Sequence, residues 1–166
     1  AIDKVVAAIR AERPDVVFAP HVETAAGIIL PDDYLAAVGR AVRETGGLFV
    51  LDGVASGPMW IDMAAVGVDV LVSAPQKVWS GPAGCALVML GERARERIAQ
   101  TTSTSFAANL RRWLEIMEAY EKGGHLYHTT MPTDALARLR DVMREAEGRG
   151  LAKLKAQQGE LGAKVR

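Results

Sequence analysis

The chain has 166 residues, 49% of them hydrophobic and 24% charged, which is enough to bury one continuous core. Twenty Lys and Arg balance twenty Asp and Glu, so the net charge is zero and no broad field draws nucleic acid or an anionic membrane surface. Apolar runs such as 25–30 and 68–72 fall far short of the roughly 20 residues of a membrane span.

The single cysteine, Cys85, cannot pair within the chain, and no export leader opens the sequence, so a reducing cytoplasm is the expected location. There is no initiator Met. Leu136, Leu139, Met143, Leu151, Leu154, Leu161 and Val165 keep a helical rhythm to the last residues. Both ends therefore read as a segment of a longer polypeptide, the alternative being a compact protein with frayed ends.

Ile2, Val5, Val6 and Ile9 have the spacing of one buried helix face, and the helix should stop near Pro14. Val16 to Phe18 is a β-branched and aromatic run, hence a buried strand. Pro31-Asp32-Asp33 starts a helix with Tyr34, Leu35, Val38 and Val42 on one stripe and Gly46-Gly47 closing it. Leu48 to Leu51, ending at Asp52, and Val68 to Val72, ending at Ser73, are further strands, joined through a short helix over Met63 to Val66. Their continuous apolar character predicts a sheet covered on both faces. Cys85 to Leu90 is a fourth strand. The eleven residues before it are too few for a parallel crossover, so it should be antiparallel. Helices are expected over Arg93 to Ile98 and roughly Ala108 to Glu121, followed by a loop over Gly123 to Met131 and one long helix over 132–166.

In open α/β sheets ligands gather beyond the carboxyl ends of the strands. Those ends carry His21-Val22-Glu23-Thr24, with Gly27 following; then Asp52-Gly53-Val54-Ala55-Ser56; then Ser73-Ala74-Pro75-Gln76-Lys77. A carboxylate and an amine thus flank one crevice. Such a pair reads either as a structural ion bridge or as chemistry. Lys77, in a loop of small residues and prolines beyond a buried strand, should point into the crevice, where a desolvated amine becomes a nucleophile toward carbonyls. Pyridoxal phosphate requires an amine for its aldehyde and a carboxylate against its pyridine nitrogen, and Lys77 and Asp52 meet both demands.

These motifs, with Lys77 twenty-five residues after Asp52 and with the later Tyr127-His128-Thr129-Thr130, resemble the class V pyridoxal-phosphate aminotransferases of the alanine-glyoxylate and serine-glyoxylate group across essentially the whole chain. The resemblance implies a fold type I large domain, specifically its C-terminal half: a mostly parallel sheet covered by helices with one antiparallel strand. Residues 1–131 would belong to that domain, and 132–166 would be the helix leading to a small domain outside the chain. It implies Lys77 as the Schiff-base lysine and the proton-moving base, Asp52 on the pyridinium and Val54 on one ring face. Thr24 would sit near the 3'-oxygen and Gln76 beside the phosphate. Tyr127 and Thr130 would reach the cofactor phosphate of a neighbouring subunit, which makes the protein a homodimer. Substrates would be a small amino acid and a 2-oxo acid such as glyoxylate or pyruvate.

Taken singly, Thr24 reads as a turn or cap residue, Val54 as core, and Gln76, Tyr127 and Thr130 as loop contacts. His21, His125 and His128 lack the spacing of a zinc set, so no metal is expected. Trp79 departs from the small or aliphatic residues usual after the family's lysine and is expected to reshape the substrate entrance. The earlier stretch with the phosphate-binding residues and the ring-stacking aromatic is not in this chain, nor is the small domain with the arginine that grips the substrate carboxylate. The segment alone is therefore expected to bind cofactor weakly. Two alternatives stand beside the aminotransferase. One is a cysteine desulfurase, against which Gln76 precedes the lysine and Cys85 lies in a predicted strand; the other is a non-catalytic α/β binding domain, although no phosphate-loop or dinucleotide fingerprint is present.

Overall fold

The computed structural model describes residues 2–77 and 79–165; Val78, next to Lys77, lies outside the described residues. Helix α1 (Ile2–Glu12) ends where Arg13 takes φ +48° ahead of Pro14. Strand β1 (Val16–Pro20) leads into a small hairpin of β2 (Val22–Glu23) and β3 (Ile28–Ile29). Helix α2 (Asp32–Thr45) opens with two acidic residues, which favour the positive end of its dipole. It closes at Gly46, where φ is +84° and the N–H caps the carbonyls of Arg43 and Val42.

β4 (Leu48–Asp52), α3 (Met63–Val66), β5 (Val70–Ser73) and β6 (Leu87–Leu90) follow, then α4 (Glu92–Gln100) and α5 (Leu110–Glu121). The sheet order is β1-β4-β5-β6, parallel except for the final pair, as the short connection before β6 predicts. This is the mostly parallel α/β architecture expected from the sequence.

Strand alternation decides where the core lies. Val17, Ala19, Phe49 and Leu51 share the face that meets α1 and α2, packing with Ile9, Leu35, Val38, Ala41, Val42, Val66 and Val68. Within this chain the helices cover one face of β1. Val16 and Phe18 point to the other face, where they remain 52% and 62% exposed. An apolar run alone does not report which of its residues meet the helical layer.

The single helix expected over 132–166 is also corrected. The structure has α6 (Thr133–Arg149) and α7 (Leu151–Val165), divided at Gly150, whose φ of +87° and ψ of +115° are non-helical and open to a residue without a Cβ. The turn brings Lys155 onto the carbonyl of Trp60, with Nζ–O 2.6 Å, and to 3.7 Å from Asp32. A side-chain rhythm continues through such a break, so it was invisible to periodicity.

Candidate active site

The parallel register sets Pro20, Asp52 and Val72 side by side on β1, β4 and β5. The three chain exits beyond them are therefore neighbours at one end of the sheet. From β4, Asp52 turns back on its own loop: its Oδ1 accepts the Val54 N–H at 2.9 Å. Gly53 donates to the Val72 carbonyl at 2.8 Å, and Ser56 N–H closes onto the Gly53 carbonyl at 3.2 Å. Asp52 and Val54 are half-buried. Among the described residues the other Asp52 oxygen has no hydrogen-bond partner, so the carboxylate is fixed by one oxygen and available through the second.

From β5, Ser73 and Pro75 are buried, and the chain then turns outward through Gln76 and Lys77. This loop is held by main-chain bonds, Lys77 N–H to the Ala74 carbonyl at 3.4 Å and Gly81 N–H to the Pro75 carbonyl at 2.9 Å. Lys77 and Gln76 are exposed, which corrects the expectation of an amine withdrawn from bulk water. Trp79 packs against Trp60 with ring centroids 4.8 Å apart and planes tilted by 37°, joining the lysine loop to the segment after Ser56.

From β1, His21 is 3% exposed and precedes the hairpin whose tip carries Thr24 and Gly27; Thr24 is exposed. His21 is the residue whose importance the sequence did not reveal. Its N–H donates to the Asp52 carbonyl at 2.9 Å, and its ring Nδ1 lies 2.8 Å from Ser56 Oγ. Burial pushes the imidazole below its ordinary pKa; Asp32 and a backbone bond at Leu30 oppose this, and Lys155 adds to it. Both partners stood inside the strand-end motifs, but their pairing across 35 positions depends on the β1–β4 register.

Tyr127 and Thr130 lie on the loop after α5, both exposed, with their hydroxyls 3.3 Å apart. Arg112 donates to the Tyr127 carbonyl, and His128 bonds to the Phe106 carbonyl while its ring packs on Phe106. The loop is thus organised by α5 and has no hydrogen bond to the strand-end residues among the described ones. His21 and His128 have separate partners, and no group of three or more metal-ligating side chains occurs among the described residues. Burial raises the Cys85 thiol above its ordinary pKa, the reverse of what a nucleophilic sulfur requires.

The mostly parallel α/β sheet, with an acid and an amine on the loops that leave adjacent strands, is the architecture this chain shares with the fold type I aminotransferases. The family model for aminotransferase class-V matches residues 1–165, and the chain belongs to that family. It is 29% identical over 140 residues to alanine–glyoxylate aminotransferase 1 of Saccharomyces cerevisiae, covering 80% of this chain and 36% of the relative. It is 36% identical over 124 residues to the 2-aminoethylphosphonate–pyruvate transaminase of Burkholderia mallei, covering 74% and 31%. The crystal structure of ureidoglycine-glyoxylate aminotransferase from Bacillus subtilis superposes with a TM-score of 0.80 at 29% identity, covering 93% of this chain and 39% of that one. The chain spans about a third of the length of the curated relatives it matches.

Proposed function

We propose that the protein carrying this chain is a pyridoxal-phosphate-dependent aminotransferase that moves the amino group of a small amino acid, of the alanine or serine type, to a 2-oxo acid such as glyoxylate or pyruvate. The observation that carries this reading is the emergence of Asp52 and Lys77 from adjacent parallel strands, with one Asp52 oxygen bound to its own loop and the other available. That donor set fits the cofactor: a carboxylate for the pyridine nitrogen and a primary amine for the aldehyde. When bound, the cofactor supplies an electron sink for the carbanion formed at the substrate Cα.

The remaining work falls to this chain's own residues. Asp52 holds the ring nitrogen in its protonated form. Lys77 would provide the amine that holds the aldehyde and would serve as the base that moves the substrate Cα proton. Val54 would lie against one ring face, Thr24 would hydrogen-bond near the 3'-oxygen, and Gln76 would sit beside the phosphate. Tyr127 and Thr130, exposed and with their hydroxyls paired, would reach the phosphate held by a second copy, which would make the working unit a homodimer. Residues 1–131 form part of the large domain, and α6 and α7 lead toward a small domain. The cytoplasm is the proposed location, in keeping with the single Cys85.

The test is single-turnover absorbance spectroscopy on the full-length protein with a panel of amino donors, including 2-aminoethylphosphonate, the donor named for the Burkholderia relative. Alanine or serine should convert the bound cofactor to its amino form, glyoxylate or pyruvate should reverse the change, and Lys77→Ala should abolish it. A colourless protein that transfers no amine contradicts the proposal.

A further inference from the structure

We infer that His21 is a positioning residue for Asp52: it grips the loop 52–56 at both ends and so sets the direction of the carboxylate oxygen left for the cofactor. The inference rests on the aminotransferase reading.

The loop leaves β4 at Asp52, whose carbonyl accepts the His21 N–H at 2.9 Å. It ends at Ser56, whose hydroxyl lies 2.8 Å from the ring Nδ1 of the same histidine. Between these anchors the chain is closed on itself by Val54 N–H to Asp52 Oδ1 and by Ser56 N–H to the Gly53 carbonyl. Moving Ser56 therefore moves Gly53 and Val54, and Val54 is what holds Oδ1. With Oδ1 held, rotation of the carboxylate is fixed and the second oxygen has one direction.

The anchor itself is rigid. His21 is 3% exposed, and its carbonyl accepts the Leu30 N–H at 2.9 Å, so the hairpin of β2 and β3 closes over it. A buried ring nitrogen requires a partner, and Ser56 is the side chain that supplies one among the described residues. The loop is also pinned toward β5 by Gly53 N–H on the Val72 carbonyl, which leaves Ser56 as the end that His21 alone secures by a side chain. His21 touches no reacting atom in this scheme. It acts through Asp52.

The experiment is a double-mutant cycle in the full-length protein, read by the dissociation constant of pyridoxal 5'-phosphate and by the 15N shift of the labelled pyridine nitrogen. Ser56→Ala and His21→Phe should each weaken cofactor binding about tenfold and shift the pyridine nitrogen toward its deprotonated value, with His21→Asn restoring part of both; Ser56→Ala leaves the core intact should His21→Phe fold poorly. In an Asp52→Asn background the same changes should have no further effect on either readout. Equal weakening with and without Asp52 means a merely structural histidine and overturns the inference. If the unmutated protein binds no cofactor, the aminotransferase reading itself falls and takes the inference with it, an outcome distinct from an additive cycle.

Discussion

Arg93 Nη1 lies 2.9 Å from both carboxylate oxygens of Asp69, a residue buried at the amino end of β5. The same carboxylate accepts the Phe49 N–H at 2.8 Å, and Arg93 Nη2 donates to the Gly47 carbonyl at 2.6 Å. One ion pair thus ties β4, β5 and α4 together at the end of the sheet opposite the candidate site. Arg93→Met leaves the carboxylate buried with one N–H donor, and removing one partner of a buried pair costs about 3 kcal/mol. Urea unfolding should show that loss with an unchanged m-value; a loss below about 1 kcal/mol would mean that the pair is screened by solvent.

Two helical glycines should respond to alanine with opposite signs. A Cβ on Gly39 in α2 would lie 2.4 Å from the Val66 carbonyl oxygen and 3.0 Å from the Gly67 Cα, both main-chain atoms that cannot swing aside. Gly39→Ala should therefore cost about 1–3 kcal/mol by overpacking. A Cβ on Gly159 in α7 meets nothing within 4 Å, so Gly159→Ala should gain about 0.5–1 kcal/mol from helix propensity. Melting temperatures of the two variants give the signs directly.

The depressed pKa of His21 predicts a pH dependence of stability. Above its ordinary value of 6.5 the ring is neutral in the folded and unfolded chains alike and contributes no slope. Below it, the unfolded chain binds a proton that burial denies the folded one, so stability falls with falling pH until the folded ring also titrates. Asp32 faces the ring and softens the effect, whereas Lys155 strengthens it. The slope from one such proton is at most about 1.4 kcal/mol per pH unit, and His21→Gln should remove it as the pH falls below about 6.5. An unchanged slope in that variant would place the titration elsewhere.

Most of the sheet was legible because its strands are short apolar runs ending at polar residues. Asp52 and Ser73 mark the ends of β4 and β5 in sequence and in structure alike. The length of the connection before β6 foretold its direction. What periodicity missed were features set by conformation or by distant pairing. The break at Gly150 is a matter of backbone dihedrals within an unbroken apolar rhythm. The exposure of Val16 and Phe18 follows from where α1 and α2 pack, which a strand read alone does not report. The hairpin over Thr24 is two residues per strand, too short to alternate visibly. The strands that lead to Asp52 and Lys77 pair as neighbours, as their apolar runs and polar ends foreshadow, while the His21–Ser56 bond required the register of β1 on β4.

Lys77 is proposed as the amine that joins the cofactor's aldehyde. Borohydride reduction of the full-length, cofactor-loaded protein, followed by peptide mapping, decides whether it does. The peptide containing Ser73-Ala74-Pro75-Gln76-Lys77 should carry the phosphopyridoxyl mass on Lys77, and Lys77→Ala should remove the label. Label on another lysine, or none on a protein that nonetheless transfers amino groups, would contradict it.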